Sequence, residues 1–354
     1  MTMTAERPLR VLTMDHVSDY HRVIYDQLGK LVHDSGLGNE ICWKCLDRQV
    51  EGIDVFHLHW PEWLLPPDIA LHQRFAAALR RASISVVWSQ HNLTPHDRNP
   101  IWWDLYRFWA YQADGAIHHS KWGRAKRLET QRFRPECRHV VAPHPHFGPL
   151  VRPHGNRHEI EARLGWRHDV LRLAIIGRPR PGKHVTDAID AFARCRRTDI
   201  ELRVFSLAPN ENPAADPRVH AEPHIRVDRA IYDLRLAASD ALILPFHQTP
   251  MLTTGTVADA IAHGLPCLVS DWGYLTEVLG DAGIVYGCQP SGLRKCLDQL
   301  DESALARART AALALREEFS PKRSARTIYR LLQDVRLLAP PSTTSGRGCQ
   351  HALR

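Results

Sequence analysis

Along most of this chain, short apolar runs alternate with longer stretches whose apolar positions recur every three or four residues. The first pattern suits buried β-strands and the second amphipathic helices. In the first half the strand-like runs are Arg10–Met14, Asp54–His57, Ser85–Ser89, Gly115–His118 and His139–Ala142. Helical periodicity covers Tyr20–Val32, Asp68–Arg81, Ile101–Tyr111 and Lys121–Gln131 between them. The stretch Phe147–His168 is rich in Gly, Pro, Arg and His without a clear period, and reads as a linker.

The alternation then resumes. Strands are expected at Leu171–Ile176, Glu201–Ser206, Ala241–Leu244, Pro266–Ser270 and Gly283–Val285. Helices are expected at Val185–Arg194, Arg229–Ala238, Gly255–His263, Tyr274–Leu279 and Ser303–Glu318. Repeated β-α units imply parallel sheets covered on both faces. Two such blocks on either side of a linker imply two doubly wound α/β domains facing a cleft. In such sheets ligands sit at the carboxyl ends of the strands. A last helix, Lys322–Val335, carries Ile328, Leu331, Leu332 and Val335 on one face, and the tail from Pro340 to Arg354 reads as disordered.

Composition sharpens this picture in a few places. The 354 residues are 44% hydrophobic and 24% charged, which excludes wholesale disorder and supplies two cores. A net charge of +7 suits a partner rich in phosphate. The opening MTMTAERPLR has no apolar signal region and no apolar run reaches bilayer length, so a cytoplasmic protein is expected. The eight cysteines are scattered and look reduced. Cys42 and Cys45 form a CxxC without a second pair, and read as structural thiols rather than a zinc site.

Chemistry gathers at four strand ends. In LAIIGRPRPGKHVTDAIDAF (Leu173–Phe192) a Gly/Pro loop carries Arg178, Arg180 and Lys183 from a strand end to a helix N-terminus. Free backbone N–H groups and fixed cations both favour an anion there, and a pyrophosphate clamp outweighs a solvated basic turn. In ILPFHQTPMLTTGTVADAIAHGLPCLVSDWGYLTEVL (Ile243–Leu279), Thr254, Gly255 and Thr256 open a helix bearing Asp259. The hydroxyls and the glycine suit the ribose or phosphates of a nucleotide, or simply cap a helix. In the first half HLHWPEW (His57–Trp63) and WSQHNLTPHD (Trp88–Asp97) follow strands, and His91 is the best placed to face the cleft.

With these residues in view, the chain resembles the two-domain GT-B glycosyltransferases, in the glycogen-synthase-like group that includes retaining family four. The resemblance rests on GRPRPGK before a helix, the LPF strand end, ADAIAHGLPCLVSD and LTEVLGDAGIVY, with HWPEW, SQHNLTPHD and VAPHPHF resembling a bacterial exopolysaccharide and glycan subgroup. It spans about residues 8–337. It implies an acceptor-side domain over 1–155, a domain binding an NDP-sugar over 156–320, a helix over 321–337 crossing back to the first domain, and a disordered tail over 338–354. Arg178 and Lys183 match the diphosphate-binding pair, with Arg180 an alternate. Thr254, Gly255 and Thr256 fall in the loop meeting the donor, and His91 matches the His beside the donor sugar. Asp259 stands at the second Glu of an E-x7-E motif, which contacts the ribose, while Met251 stands at the first. Met251 is a poor partner for a sugar hydroxyl, so the stereochemical course stays open. An inverting enzyme needs a base among Asp15, Glu62, His91 and Asp97; in a retaining one the departing phosphate takes the proton. No metal cofactor is expected, because cationic side chains replace it.

The expected function is transfer of a sugar from a nucleotide donor to a hydroxyl of a glycan, a lipid-linked or a small-molecule acceptor, entering near Asp15, His16, Trp60 and Glu62. Two alternatives remain. One is a metal-dependent hydrolase using the H-x-H pairs His57/His59 and His144/His146. The other is a sugar-nucleotide-binding module without catalysis. Lys121–Arg138 holds seven cations against two Glu but accompanies no nucleic-acid motif. Beside Trp102, Tyr106 and Trp109 it suits a peripheral site on an anionic membrane, or equally a buried aromatic face next to a solvated cationic one.

Overall fold

The computed structural model describes residues 7–337 apart from 15–17, 37–40, 42, 44–45, 96–98, 153–154, 181, 210, 212–214, 248–249 and 290. Asp15, His16, Cys42, Cys45, Asp97 and the 338–354 tail, all named above, lie outside the described residues. The first sheet is built from β1 (Leu9–Thr13), β2 (Val32–Gly36), β3 (Val55–Leu58), β4 (Ser85–Ser89), β5 (Gly115–His118) and β6 (Arg138–Val141). Its helices are α1 (Asp19–Leu28), α2 (Leu46–Gln49), α3 (Pro61–Leu64), α4 (Ile69–Arg81), α5 (Ile101–Gln112) and α6 (Lys121–Thr130). The second sheet holds β7 (Leu171–Ile175), β8 (Ile200–Leu207), β9 (Val219–Pro223), β10 (Ala241–Leu244), β11 (Cys267–Ser270) and β12 (Gly283–Tyr286). Around it lie α7 (Arg157–Leu164), α8 (Val185–Ala193), α9 (Arg229–Ala237), α10 (Gly255–His263), α11 (Gly273–Leu279), α12 (Gly292–Gln299) and α13 (Glu302–Glu318).

Every strand pairing within the two sheets is parallel, in the orders β2-β1-β3-β4-β5-β6 and β12-β11-β10-β7-β8-β9. Both domains expected from the alternation are therefore present. The central strands are buried at every position and mostly apolar, because each covers both faces with helices. Strand order reverses between β1 and β3 and between β10 and β7, and a crevice opens at each reversal. The chemistry-bearing loops all leave strands at or beside these two points.

A final helix, α14 (Pro321–Arg336), follows the second domain in sequence but packs under the first. Its Ile328, Leu331, Leu332 and Val335 join Leu9, Val11, Val55, Val87 and Ile117 in one core. Each such side chain stabilises the fold by about 1.5–3 kcal/mol when fully buried. Gly115 makes the close approach possible, since a Cβ there would stand 3.2 Å from Leu331 and Val335. Ser85 Oγ donates to the Val335 carbonyl (2.9 Å), and Ser324 Oγ to that of Pro143 (2.7 Å).

Candidate functional site

The second domain supplies one wall. Beyond β7 the chain turns at Gly177, whose φ of +91° favours glycine. A Cβ there would stand 2.9 Å from Thr256 Oγ1 and 3.0 Å from Lys183 Nζ, so hydroxyl and ammonium converge on bare backbone. Lys183 is 5% exposed, and its ammonium lies 4.9 Å above the Phe246 ring. Burial first, and the charge of Arg180 second, push its pKa down to about 7. No carboxylate pairs with it among the described residues. His184, next in the chain, holds a left-handed φ of 39° and stacks on His247 at 3.5 Å, a strained start to α8.

Thr254 caps α10 by accepting from the Thr256 N–H. The space left by Gly255 is filled by the Phe147 ring of the linker, 3.3 Å from a built Cβ, rather than left open for a ligand. One turn along α10, Asp259 accepts from Arg229 (2.9 Å) and from the Tyr232 hydroxyl (3.0 Å). Burial pushes its carboxyl up to about 7, against the pull of Arg229. Sequence reasoning missed Arg229 and Tyr232; their i, i+3 spacing on one helix was the only signal.

Asp259, Gly177 and Arg178 open onto a cavity of about 610 Å³ between the domains, which Arg22, Arg152, Arg226, Arg229 and Arg235 also line. Arg229 is paired with Asp233 and Asp259, and Arg235 with Glu222. The guanidinium groups of Arg152, Arg178 and Arg226 have no carboxylate partner among the described residues. The result is a cationic cleft at the carboxyl ends of β7 and β10, sized for a nucleotide-like ligand.

The first domain supplies the opposite wall. His91 follows β4, 5% exposed, stacked on Trp60 at 4.2 Å, with Nε2 3.4 Å from His59 Nδ1. Tyr20 stands at the centre of His59, His91, His119 and His144, with ring centroids 4.9–5.5 Å away. Burial holds His59 and His91 well below the ordinary imidazole value, and His57, His119 and His144 near 3, 4 and 3. Glu62 accepts from the Tyr106 hydroxyl (2.9 Å), and its charge reaches Arg180 of the second domain. Trp63, beside it, packs at a tilt against Trp60, with ring centroids 4.2 Å apart, and is 56% exposed.

The two walls are joined directly. Leu93 N donates to the Pro250 carbonyl (2.6 Å) and Leu252 N to that of His91 (2.9 Å), an antiparallel bridge pairing Asn92 with Met251. Met251 is thus a buried structural residue in the second domain's core. Arg127, fully buried over the Trp88 and Tyr106 rings, donates to the carbonyls of Asn92 and Leu93 and holds the bridge from below. The Glu277 carboxylate accepts from the backbone N–H groups of Lys121 and Trp122 (2.7 and 2.6 Å), so α11 caps α6 across the domain boundary.

Two of the alternatives left open by the sequence close here. The H-x-H pairs do not gather on one point: His57 bonds Tyr25 and Ser89, His144 the Pro145 carbonyl, and His146 the Gly148 N–H. The hydrolase reading therefore loses its metal centre. Trp102, Tyr106 and Trp109 are buried core, as is Arg127, so the aromatic face of α5 is not a membrane surface.

No known family profile matches the sequence, and no curated protein sequence does. Solved structures do match its fold. Sucrose-phosphate synthase from Thermosynechococcus elongatus superposes with a TM-score of 0.68 at 14% identity, over 93% of this chain and 100% of that one. A glycosyltransferase from Rickettsia africae gives 0.70 at 11%, over 93% and 99%. HepE from Anabaena, in complex with UDP-glucose, gives 0.67 at 15%, over 92% and 100%. The architecture of this chain is GT-B, two Rossmann-like domains with a cleft between them.

Proposed function

We propose that this chain is a glycosyltransferase that moves a sugar from a nucleoside-diphosphate donor to a hydroxyl acceptor. The observation that carries the reading is the convergence of Lys183 Nζ and Thr256 Oγ1 on Gly177, beside Arg178 in an arginine-lined cleft. The fold shared with HepE, whose structure holds UDP-glucose, points the same way. In this reading Arg178, Arg180 and Lys183 take the diphosphate and stabilise the charge that grows on it as the glycosidic bond breaks. No metal cofactor is needed for that role. Asp259, held by Arg229 and Tyr232, meets the ribose. His91, kept neutral by burial, offers a ring nitrogen to the donor sugar or the acceptor hydroxyl. The acceptor enters past Trp60, Trp63 and Glu62, where an exposed indole face beside a carboxylate suits a glycan ring.

A peripheral membrane site is a finer part of the same proposal. Among the described residues no helix is long and apolar enough to cross a membrane. Exposed Trp103 and Tyr111 on α5, and exposed Leu128 with Lys121 and Arg124 on α6, are the side chains that would meet anionic lipid. Sedimentation with phosphatidylglycerol vesicles, absent with phosphatidylcholine, is the outcome this part requires.

The central test is a thermal-shift panel of UDP, GDP, ADP, dTDP and CMP in EDTA. One nucleoside diphosphate should raise the melting temperature, and His91→Ala should keep that response while losing turnover. A panel with no response removes the donor site.

A further inference from the structure

We propose that His158, Glu161 and His168 bind a divalent transition-metal ion, zinc foremost, on the side of the second domain away from the cleft. The proposal is independent of the glycosyltransferase reading. The backbone builds the site. Asn156 and Glu159 close a capping box that starts α7, and His158 and Glu161 then share a face at i, i+3. Gly165, left-handed at φ 64°, ends the helix, and the chain turns back through His168 to Asp169 at φ 57°. His168 is thereby laid over the turn that carries the other two side chains.

The three ligand atoms form a compact triangle. His158 Nδ1 and His168 Nδ1 are 3.1 Å apart, His168 Nδ1 and Glu161 Oε2 2.8 Å, and His158 Nδ1 and Glu161 Oε2 4.0 Å. Its edges average about 3.3 Å, the separation of neighbouring ligands held about 2.0–2.1 Å from a tetrahedral zinc, and a small rotation of the exposed His158 ring closes the 4.0 Å edge to that value. Protons serve this arrangement poorly. A hydrogen on His168 Nδ1 that reaches Glu161 leaves His158 Nδ1 facing a nitrogen already in use, whereas one cation satisfies all three lone pairs and displaces that proton.

Glu161 is prepared for the role. Its Oε1 is held by Arg157 (2.8 Å) and by fully buried Arg172 (2.9 Å), which fixes the carboxylate and leaves Oε2 to the imidazoles. Asp240 pairs with Arg157, and Glu201 lies 3.7 Å from Arg172, so the two guanidinium charges are offset. The imidazoles are 74% and 45% exposed, leaving a fourth position to water. Two nitrogens and one oxygen select zinc, nickel or cobalt over magnesium or calcium. Arg172 opens β7 while Gly177 lies beyond its far end, about 15 Å away at strand spacing. The ion is thus a structural tie between α7 and the loop that leads into β7, outside the chemistry of the cleft.

The test uses the whole protein, stripped with EDTA and returned to chelator-free buffer. Zinc is titrated calorimetrically, cobalt serves as a spectroscopic probe, and magnesium is the control. One zinc per chain should bind at micromolar concentration or below, raise the melting temperature and release protons in proportion. His158→Ala, at the most exposed ligand, and His158→Ala/His168→Ala should each weaken that binding at least tenfold while keeping the thermal response to nucleotide and the circular-dichroism spectrum of the parent. Zinc binding of equal affinity in the parent and His158→Ala, or none in the parent, overturns the proposal.

Discussion

In the ligand-free protein Lys183 carries a cost, since its ammonium is nine-tenths buried and half-discharged near neutrality. Its free-state pKa of about 7, below the unfolded value, makes two predictions. An anion binds the charged form, so above pH 7 the protein must take up a proton on binding. Affinity for the stabilising nucleoside diphosphate should therefore weaken by up to about tenfold per pH unit from pH 7 toward 9. Lys183→Met should abolish that slope and lower affinity at least tenfold, yet stabilise the unliganded fold by about 1–3 kcal/mol, because an unpaired buried cation is removed. Calorimetry across pH and thermal melts of both proteins check this pair. Lys183, Arg178 and Asp259 were legible because a strand, a glycine and a helix start fix where such residues point. Arg229, Tyr232 and Glu277 were not, since the partners that bring them to the site lie 30, 27 and 155–156 residues away, and the i, i+3 spacing of Arg229 and Tyr232 does not name theirs.

Among the elements, the bridge at Asn92 and Met251 and the cap of Glu277 on α6 fasten the two domains together near the loops that line the cleft. Met251→Glu restores the carboxylate expected at that position by resemblance, but puts it at a site 6% exposed. It should destabilise the protein by about 3 kcal/mol or more and reduce rather than raise turnover, as denaturant titration and assay will report. Glu277→Gln weakens two charge-assisted bonds and the interaction with the helix dipole, and should cost about 1–2 kcal/mol by the same titration. The expected elements that appeared were the periodic helices and the short apolar strands between them, such as β4, β5 and β10. Those that escaped had weak patterns: β2, VHDSG, is an edge strand with mixed polar faces, and β9, VHAEP, is another. Helix α7 lay inside the expected linker. Its apolar face is a single Ile160, although its capping box and terminal glycine were readable.

For the whole molecule, the buried histidines set the response to acid. Burial is the leading cause that holds His57, His118, His119 and His144 at about 3, 2, 4 and 3, below the unfolded value of 6.5. Between those values the unfolded chain binds protons that the folded one refuses. Stability is therefore complete above about pH 6.5 and is lost as pH falls toward 4. At pH 5 each group costs about 2 kcal/mol, and four together on the order of 8, comparable to the whole stability of a typical domain. Melts from pH 7.5 to 5 should show a steep fall in Tm; a flat profile contradicts the neutral state assigned to these rings.

The last helix sets an order of events during synthesis. Domains ordinarily fold as they leave the ribosome, the N-terminal one first. Here the underside of the first sheet waits for α14, and Ser85 meets Val335 across 250 residues of chain. The first domain is thus translated early and completed last. Until the final turn of α14 emerges, Leu9, Val11, Val55 and Val87 have α1 beside them but lack the cover of Ile328, Leu331, Leu332 and Val335, and a nascent chain stalled before residue 321 should recruit chaperones at that face.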